Sequence, residues 1–164
     1  MPLNRKLDKL DAVDTKVLSL LAAQGRMSWA ELGNELGLSA PAAADRVKKL
    51  EQLGFIRGYT AVLDAEGLGL GVTAFIAVRL DRPTHRAAFL KRVRREAEVV
   101  ECHHMAGDDD YLLKVHVTDL KTLETLVSET LKGIEGVIGT RTLIALSTLK
   151  DAPHLPLEHL APDE

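Results

Sequence analysis

At 164 residues, with 46% hydrophobic and 27% charged side chains, the chain has room for one medium domain or two small ones and the balance of a globular protein. A net charge of −3 argues against a general nucleic-acid coat protein, and the single cysteine, Cys102, excludes an internal disulfide framework and fits a reducing cytoplasm. The charge is uneven, with nine Lys/Arg against seven Asp/Glu in residues 1–60 and twelve against seventeen in residues 61–164, which suits a DNA-reading front carried on a separate assembly module. The opening residues are too charged for a secretion signal, and no apolar run is long enough to span a membrane.

Asp11 is placed to cap a first helix, with Asp14 adding negative charge in its first turn. Val13, Val17, Leu20 and Leu21 form its apolar stripe, and Gly25 ends it. Ser28-Trp29-Ala30-Glu31 reads as a capping box that opens a second helix, on which Leu32 and Leu36 share one face. Gly37 supplies a left-handed stop, Leu38 fills the turn, and Ser39 caps a third helix. Pro41 sits in that helix's first turn, where a missing N–H costs little. Two short helices across a Gly turn are the helix-turn-helix plan, whose second helix enters the DNA major groove. On this recognition helix Ala43, Val47 and Leu50 line the inner stripe. Pro41, Asp45, Lys48 and Gln52 face outward, flanked by Ala42 and Lys49 on one side and Arg46 on the other. A cationic outer face suits phosphate contact, and it is equally the pattern of an ordinary solvated face.

Residues 55–63 are rich in aromatic and β-branched side chains and are expected as a strand, which makes the front a winged helix-turn-helix with a reduced wing. Three glycines within residues 64–71 mark a flexible connector. The expected division is therefore a DNA-binding domain over 1–63, a linker over 64–71, a rear domain over 72–150 and a tail over 151–164 that wraps a neighbour or stays mobile. In the rear domain strands are expected over 72–80, 99–106, 111–117 and 137–149. Thr84 is expected to cap a helix to about residue 97, and Asp119 a helix through residue 131. The order βαββαβ is the ferredoxin-like plan, so the fold class is α+β: a winged helix-turn-helix followed by an antiparallel four-stranded sheet with both helices on one face. The last strand reads as apolar on both sides, with Val137, Leu143, Ala145 and Leu149 on one and Ile138, Ile144 and Leu146 on the other. The open sheet face is thus expected to meet the same face of a second copy in an isologous dimer.

Gly107-Asp108-Asp109-Asp110 is the most polar cluster of the rear domain. A glycine lets backbone N–H groups face a carboxylate and an aspartate accepts an ammonium, so the run suits an amino acid; it is also an ordinary acidic β-turn. Thr140 and Thr142 on the last strand add candidate hydroxyl contacts. His103 and His104 are adjacent on a strand and point to opposite faces, so no metal site is expected from them. Cys102 is expected to be a small buried residue. No cofactor site, nucleophile triad or phosphate-binding Gly loop is evident in the sequence.

Leu10-Asp11 with Asp14, Val17-Leu18 and Leu21, then Gly25-Arg26-Met27-Ser28, Glu31-Leu32, Gly37-Leu38-Ser39, Arg46-Val47, Leu50-Glu51 and Gly54-Phe55-Ile56-Arg57-Gly58-Tyr59, together resemble the DNA-binding signature of the Lrp/AsnC transcription regulators. Gly107 with Asp110-Tyr111-Leu112-Leu113 is similar to that family's ligand-domain signature. The resemblance covers roughly residues 7–150. It implies a sequence-specific, effector-modulated regulator in the cytoplasm that binds double-stranded DNA and a small effector, commonly an amino acid, as a homodimer or a ring of four dimers. DNA contacts are then expected from Ser39, Ala40, Pro41, Ala42, Asp45, Arg46, Lys48 and Lys49, and effector contacts from Gly107, Asp108, Asp109, Asp110, Tyr111, Thr140 and Thr142. Two features depart from the pattern. Gly33 stands where alanine is usual, and both are small. The run Ala40-Pro41-Ala42-Ala43-Ala44 leaves few donors for base edges, so specificity is expected from DNA shape and from phosphate contacts by Arg46, Lys48 and Lys49. The rival reading is a sirohaem-decarboxylase-like enzyme on the same fold, with histidines serving a tetrapyrrole.

Overall fold

The computed structural model describes residues 7–151 and 155–160. The chain forms two compact units, one built from the residues up to Val62 with those from Lys150 on, the other from Leu63–Leu149. Of the expected tail, only 151 and 155–160 fall among the described residues, with a single 3₁₀ turn at Glu158–Leu160.

Among the described residues the first unit holds three α-helices with both ends described: α1 (Ala12–Ala23), α2 (Trp29–Leu36) and α3 (Ala40–Gln52). Each begins where a side chain satisfies an orphan N–H. Asp11 accepts from Asp14 N at 2.8 Å, Ser28 Oγ from Glu31 N at 3.3 Å, and Ser39 Oγ from Ala42 N at 3.3 Å. The two capping boxes are reciprocal, since Glu31 accepts from Ser28 N and Asp14 from Asp11 N. Gly37 (φ +68°) closes α2 in the left-handed region. Val17, Leu21, Leu32, Ala43, Val47 and Leu50 form the core, with Leu10, Leu36, Phe55 and Ile56 packed against it. Val13 is not among them. Its expected place in the α1 stripe is taken by Asp14, which is fully buried.

Residues 57–63 form no strand. The backbone N–H groups of Phe55 and Ile56 donate to Leu50 O, and the chain then runs extended and exposed, with Tyr59, Val62 and Leu63 at 52%, 67% and 70% exposure. The residue types favour a strand, but a strand needs a neighbouring ladder, and no described segment supplies one. The connector is also less slack than its glycines suggest. Leu68, Gly69 and Leu70 donate to Asp64 O, Glu66 O and Ala65 O, and Asp64 Oδ1 accepts from Gly67 N.

The second unit is an antiparallel sheet in the order β2-β3-β1-β4, formed by β1 (Val72–Leu80), β2 (Val99–His104), β3 (Tyr111–Val117) and β4 (Val137–Ile144). Helices α4 (Arg86–Val93) and α5 (Leu120–Thr125) cover one face. The core alternates along the two central strands, with Ala74, Ile76 and Val78 on β1 and Tyr111, Leu113, Val115 and Val117 on β3, against Phe89, Val93, Leu123, Leu126 and Leu131.

Boundaries differ from expectation in four places. A 3₁₀ turn at Pro83–His85 precedes α4, so Thr84 caps nothing and the helix ends at Val93. Asp119 does cap α5, accepting from Thr122 N at 2.8 Å, but the helix passes into a π turn over Leu126–Leu131. Strand β2 stops at His104. Strand β4 stops at Ile144, leaving Leu146 and Leu149 outside it at 99% and 94% exposure. Pairing also sets the faces of β4. Ile144, Thr142 and Thr140 lie opposite Ala74, Ile76 and Val78, on the helix side, while Leu143 and Arg141 lie opposite Phe75 and Ala77. An irregularity at Arg79/Leu80 turns Val137 to the core side as well. Leu143 and Ile144 thus keep the opposite faces expected of them and only Val137 changes side, so the open face draws its apolar content from Phe75, Ala77, Leu112 and Leu143.

The helix-turn-helix turn is tighter than size alone implies. A Cβ on Gly33 would meet Leu38 O at 2.7 Å and Ala40 N at 3.3 Å, both backbone atoms, so alanine does not fit without a shift. Gly33→Ala should therefore fail to deliver the roughly 1 kcal/mol that better helix propensity promises. Thermal unfolding should show an unchanged or lower midpoint; a rise of several degrees would contradict the close approach.

Candidate nucleic-acid interface and effector loop

The outer face of α3 is set by its register. With Ala43, Val47 and Leu50 buried, Pro41, Asp45, Lys48 and Gln52 are exposed, and Ala40, Ala42, Arg46 and Lys49 are half-buried on the flanks. Ser39 is exposed at the cap. The short side chains of Ala40, Pro41 and Ala42 leave the helix N-terminus uncluttered, with its positive dipole end outward.

The three cations of this helix are not equivalent. Lys48 is exposed. Lys49 Nζ donates to Asp14 Oδ2 at 2.6 Å, and Arg46 Nη1 to Asp14 Oδ1 at 2.9 Å and to Asp11. Asp14 is fully buried, while Arg46, Lys49 and Asp11 are partly open. Burial pushes the Asp14 carboxyl up, but the Lys49 and Arg46 hydrogen bonds and the Asp11 N–H outweigh it and hold the group below its ordinary value. Asp11 is held down by Arg46 first and by the Asp14 N–H second. The sequence reading missed this cluster. Its signal was a carboxylate at the 10, 14, 17, 21 spacing of an apolar stripe, a place where a charge must be partnered.

Of the expected effector residues, Gly107, Asp108, Asp109, Asp110 and Tyr111 share one end of the sheet, whereas Thr140 and Thr142 lie on β4, across the sheet from the Asp109–Arg141 pair. Gly107 (φ +149°) adopts a conformation that side chains rarely reach, and it and Asp108 are exposed. Asp109 Oδ2 accepts from Arg141 Nη2 at 3.0 Å. Asp110 is built into the fold: its N–H donates to Val78 O at 3.0 Å and its carboxylate accepts from Leu80 N at 2.7 Å, closing the gap between β1 and β3. Tyr111 is buried, its ring 4.7 Å from Phe89 and 5.3 Å from His104. Thr140 and Thr142 are half-buried on the helix side. His103 and His104 diverge as the alternation requires; His103 bonds Glu101 at 2.9 Å and His104 stacks on Tyr111. Among the described residues no three His, Cys, Asp or Glu side chains cluster as metal ligands. Cys102 is exposed rather than buried, and desolvation raises its thiol pKa despite Arg94.

Residues 10–51 match the AsnC-type helix-turn-helix domain, and residues 73–155 match the Lrp/AsnC ligand binding domain. The chain belongs to the Lrp/AsnC family. It is 38% identical over 151 residues to the Bkd operon transcriptional regulator of Pseudomonas aeruginosa, covering 90% of this chain and 99% of that one. To the leucine-responsive regulatory protein of Escherichia coli it is 37% identical, covering 91% and 92%. Among solved structures it resembles a transcriptional regulator from Neisseria meningitidis in complex with L-Met (TM-score 0.89, 35% identity, 93% and 99% covered) and E. coli AsnC (TM-score 0.80, 26% identity, 87% and 95% covered). The protein is thus a transcriptional regulator whose front reads DNA and whose rear carries a ligand-binding domain. Among the described residues no helix is long and apolar enough to cross a membrane.

The depressed Asp11 and Asp14 carboxyls give this regulator an acid-sensitive head. Their contribution is complete above the ordinary carboxylate pKa of about 4 and is lost as pH falls through the lower folded values. Urea unfolding from roughly pH 6 down to about pH 3 should show stability falling at the acid end, and Asp14→Asn should flatten that fall. An Asp14→Asn profile parallel to wild type would refute the assignment.

Proposed function

We propose that this Lrp/AsnC regulator docks α3 in the major groove with Lys48 as its leading phosphate ligand, and that an amino acid held at the Gly107–Asp110 turn modulates assembly or DNA binding. The observation that carries the first part is the outer face of α3: one exposed cation, a cleared N-terminus and a Ser39 cap. Ala40, Pro41, Ala42 and Asp45 then lie nearest the bases, with few donors among them, so DNA shape carries much of the specificity. Arg46 and Lys49 lie at the edge of this face with their cationic heads already engaged by Asp14.

For the effector, the support is a pair of opposite charges, Asp109 and Arg141, beside the open Gly107 and Asp108. An amino acid presents the complementary two charges, and the similar N. meningitidis regulator was solved with L-Met. Asp110 and Tyr111 support the turn from below, and Thr140 and Thr142, on the opposite face of β4 from Arg141, take no part in this charge pair. The open sheet face, with Phe75, Ala77, Leu112 and Leu143, fits an isologous homodimer, which pairs two heads on half-sites spaced by whole helical turns and is the unit of any octamer. A DNA-binding regulator works beside the chromosome, in the cytoplasm. The enzyme reading finds no support in the relatives, which are named as regulators.

Lys48→Ala should weaken binding to all duplexes alike and reduce the salt slope by about 0.9 for each phosphate that is no longer neutralised. Filter binding across a potassium chloride series measures both; an unchanged slope refutes the Lys48 role. A thermal-shift screen of the twenty amino acids should find one that stabilises the protein, by about 2.7 kcal/mol at a hundredfold excess over Kd. Asp109→Ala should abolish that shift while costing the unliganded protein no more than about 1 kcal/mol, the scale of an exposed pair.

A further inference from the structure

Three features of the first unit stand together. Asp14 is a wholly buried carboxylate on α1. Both its oxygens are occupied by cations of α3, Arg46 at 2.9 Å and Lys49 at 2.6 Å, which are i and i+3 on that helix. Asp11, one turn earlier, binds the same guanidinium and caps α1. Two cations from one helix on one buried anion fix an azimuth as well as a distance: rotating α3 about its axis breaks one bond or the other. The apolar contacts of Ala43, Val47 and Leu50 do not discriminate rotation so sharply, because aliphatic packing is non-directional. The turn between α2 and α3 adds a second fixed point, since Gly33 lets Leu38 O and Ala40 N approach within reach of its missing Cβ.

We propose that Asp14 is a positioning residue for DNA recognition, and that Arg46 and Lys49 act as struts that aim the outer face of α3 instead of as phosphate ligands. The inference rests on the reading of α3 as the recognition helix. It assigns the three cations of that helix to two jobs: Lys48 contacts the polyanion, and the other two set the angle at which the helix is presented. Because base contacts from Ala40, Pro41 and Ala42 are short, a small error of rotation carries them out of reach, whereas phosphate attraction is tolerant of it.

The test uses the full chain and two duplexes: one chosen from a random pool by the wild-type protein, and poly(dI-dC). Melting curves first fix a temperature at which every variant is folded. Asp14→Asn keeps the shape and removes the charge. It should lower affinity for the selected duplex by roughly tenfold or more, with affinity for poly(dI-dC) and the salt slope unchanged. A purely stabilising role would lower the melting point and leave the ratio of the two affinities intact, which overturns the proposal. Tighter binding to both duplexes with a steeper salt slope also overturns it, because the released cations would then be phosphate ligands. If Asp14→Asn does not fold, Lys49→Met carries the same comparison, since it keeps the aliphatic stem. Loss of the affinity ratio with an unchanged slope supports the strut; a slope smaller by about 0.9 overturns it. Wild-type protein that enriches no duplex at all refutes the DNA reading itself and this inference with it, an outcome distinct from a variant that merely keeps its specificity.

Discussion

A single buried charge organises the DNA-binding half of this molecule. Placing a carboxylate among aliphatic side chains is unfavourable unless its oxygens are satisfied, so Asp14 constrains whatever packs against it. Here it constrains α3 through two cations and constrains its own helix through the Asp11 N–H. The remaining contacts of the helical core are aliphatic and set distance more than orientation. Such a pair contributes little net stability, since desolvation offsets attraction, but removing either side leaves an uncompensated ion; its value lies in fixing one arrangement. That division explains why a helix with three cations shows only Lys48 clearly to solvent.

Much of the fold was legible because local chemistry and global position agree. Ser28 with Glu31, Ser39, Asp11 and Asp119 cap helices as their spacing demands, and Gly37 closes α2 at a positive φ. The order of elements, βαββαβ, identified the sheet. What escaped were matters of partnership. Residues 55–63 carry strand chemistry, but a strand exists only where another backbone answers it. Thr84 could cap a helix by type, yet Pro83 starts a 3₁₀ turn just ahead of α4. Leu146 and Leu149 continue an apolar pattern after the pairing of β4 has ended. Val137 was placed on the wrong face of β4 because one irregularity at Arg79/Leu80 shifts parity, and no composition reports that.

The site was legible as a location and less so as a set of roles. Gly107-Asp108-Asp109-Asp110 reads as a uniform acidic turn, but its three aspartates differ: Asp108 is open, Asp109 faces Arg141, and Asp110 holds the end of β1. Tyr111, adjacent in sequence, belongs to the core beside Phe89. Arg141, four positions into β4 and thirty-two from its partner, could not be connected to the turn without the register of the sheet. In the front unit the same limit applies to Asp14. It reads as a first-turn charge with Val13 in the stripe, and the partners that bury it lie on a helix two elements away.

The strand order carries a consequence for how the chain comes off the ribosome. The aliphatic core of α1, α2 and α3 can form as soon as those helices have emerged, through contacts that span short loops and close quickly, although the unit also takes in residues from Lys150 on. Strand β1, by contrast, lies between β3 and β4, and its β4 edge stays open until the last element of the unit has been made. During that interval a nine-residue apolar strand shows one bare row of amides and carbonyls to its surroundings. Synthesis therefore passes through a stage in which the helix-turn-helix core has formed while the ligand-binding half is an unfinished sheet with an edge open to pairing with a stranger.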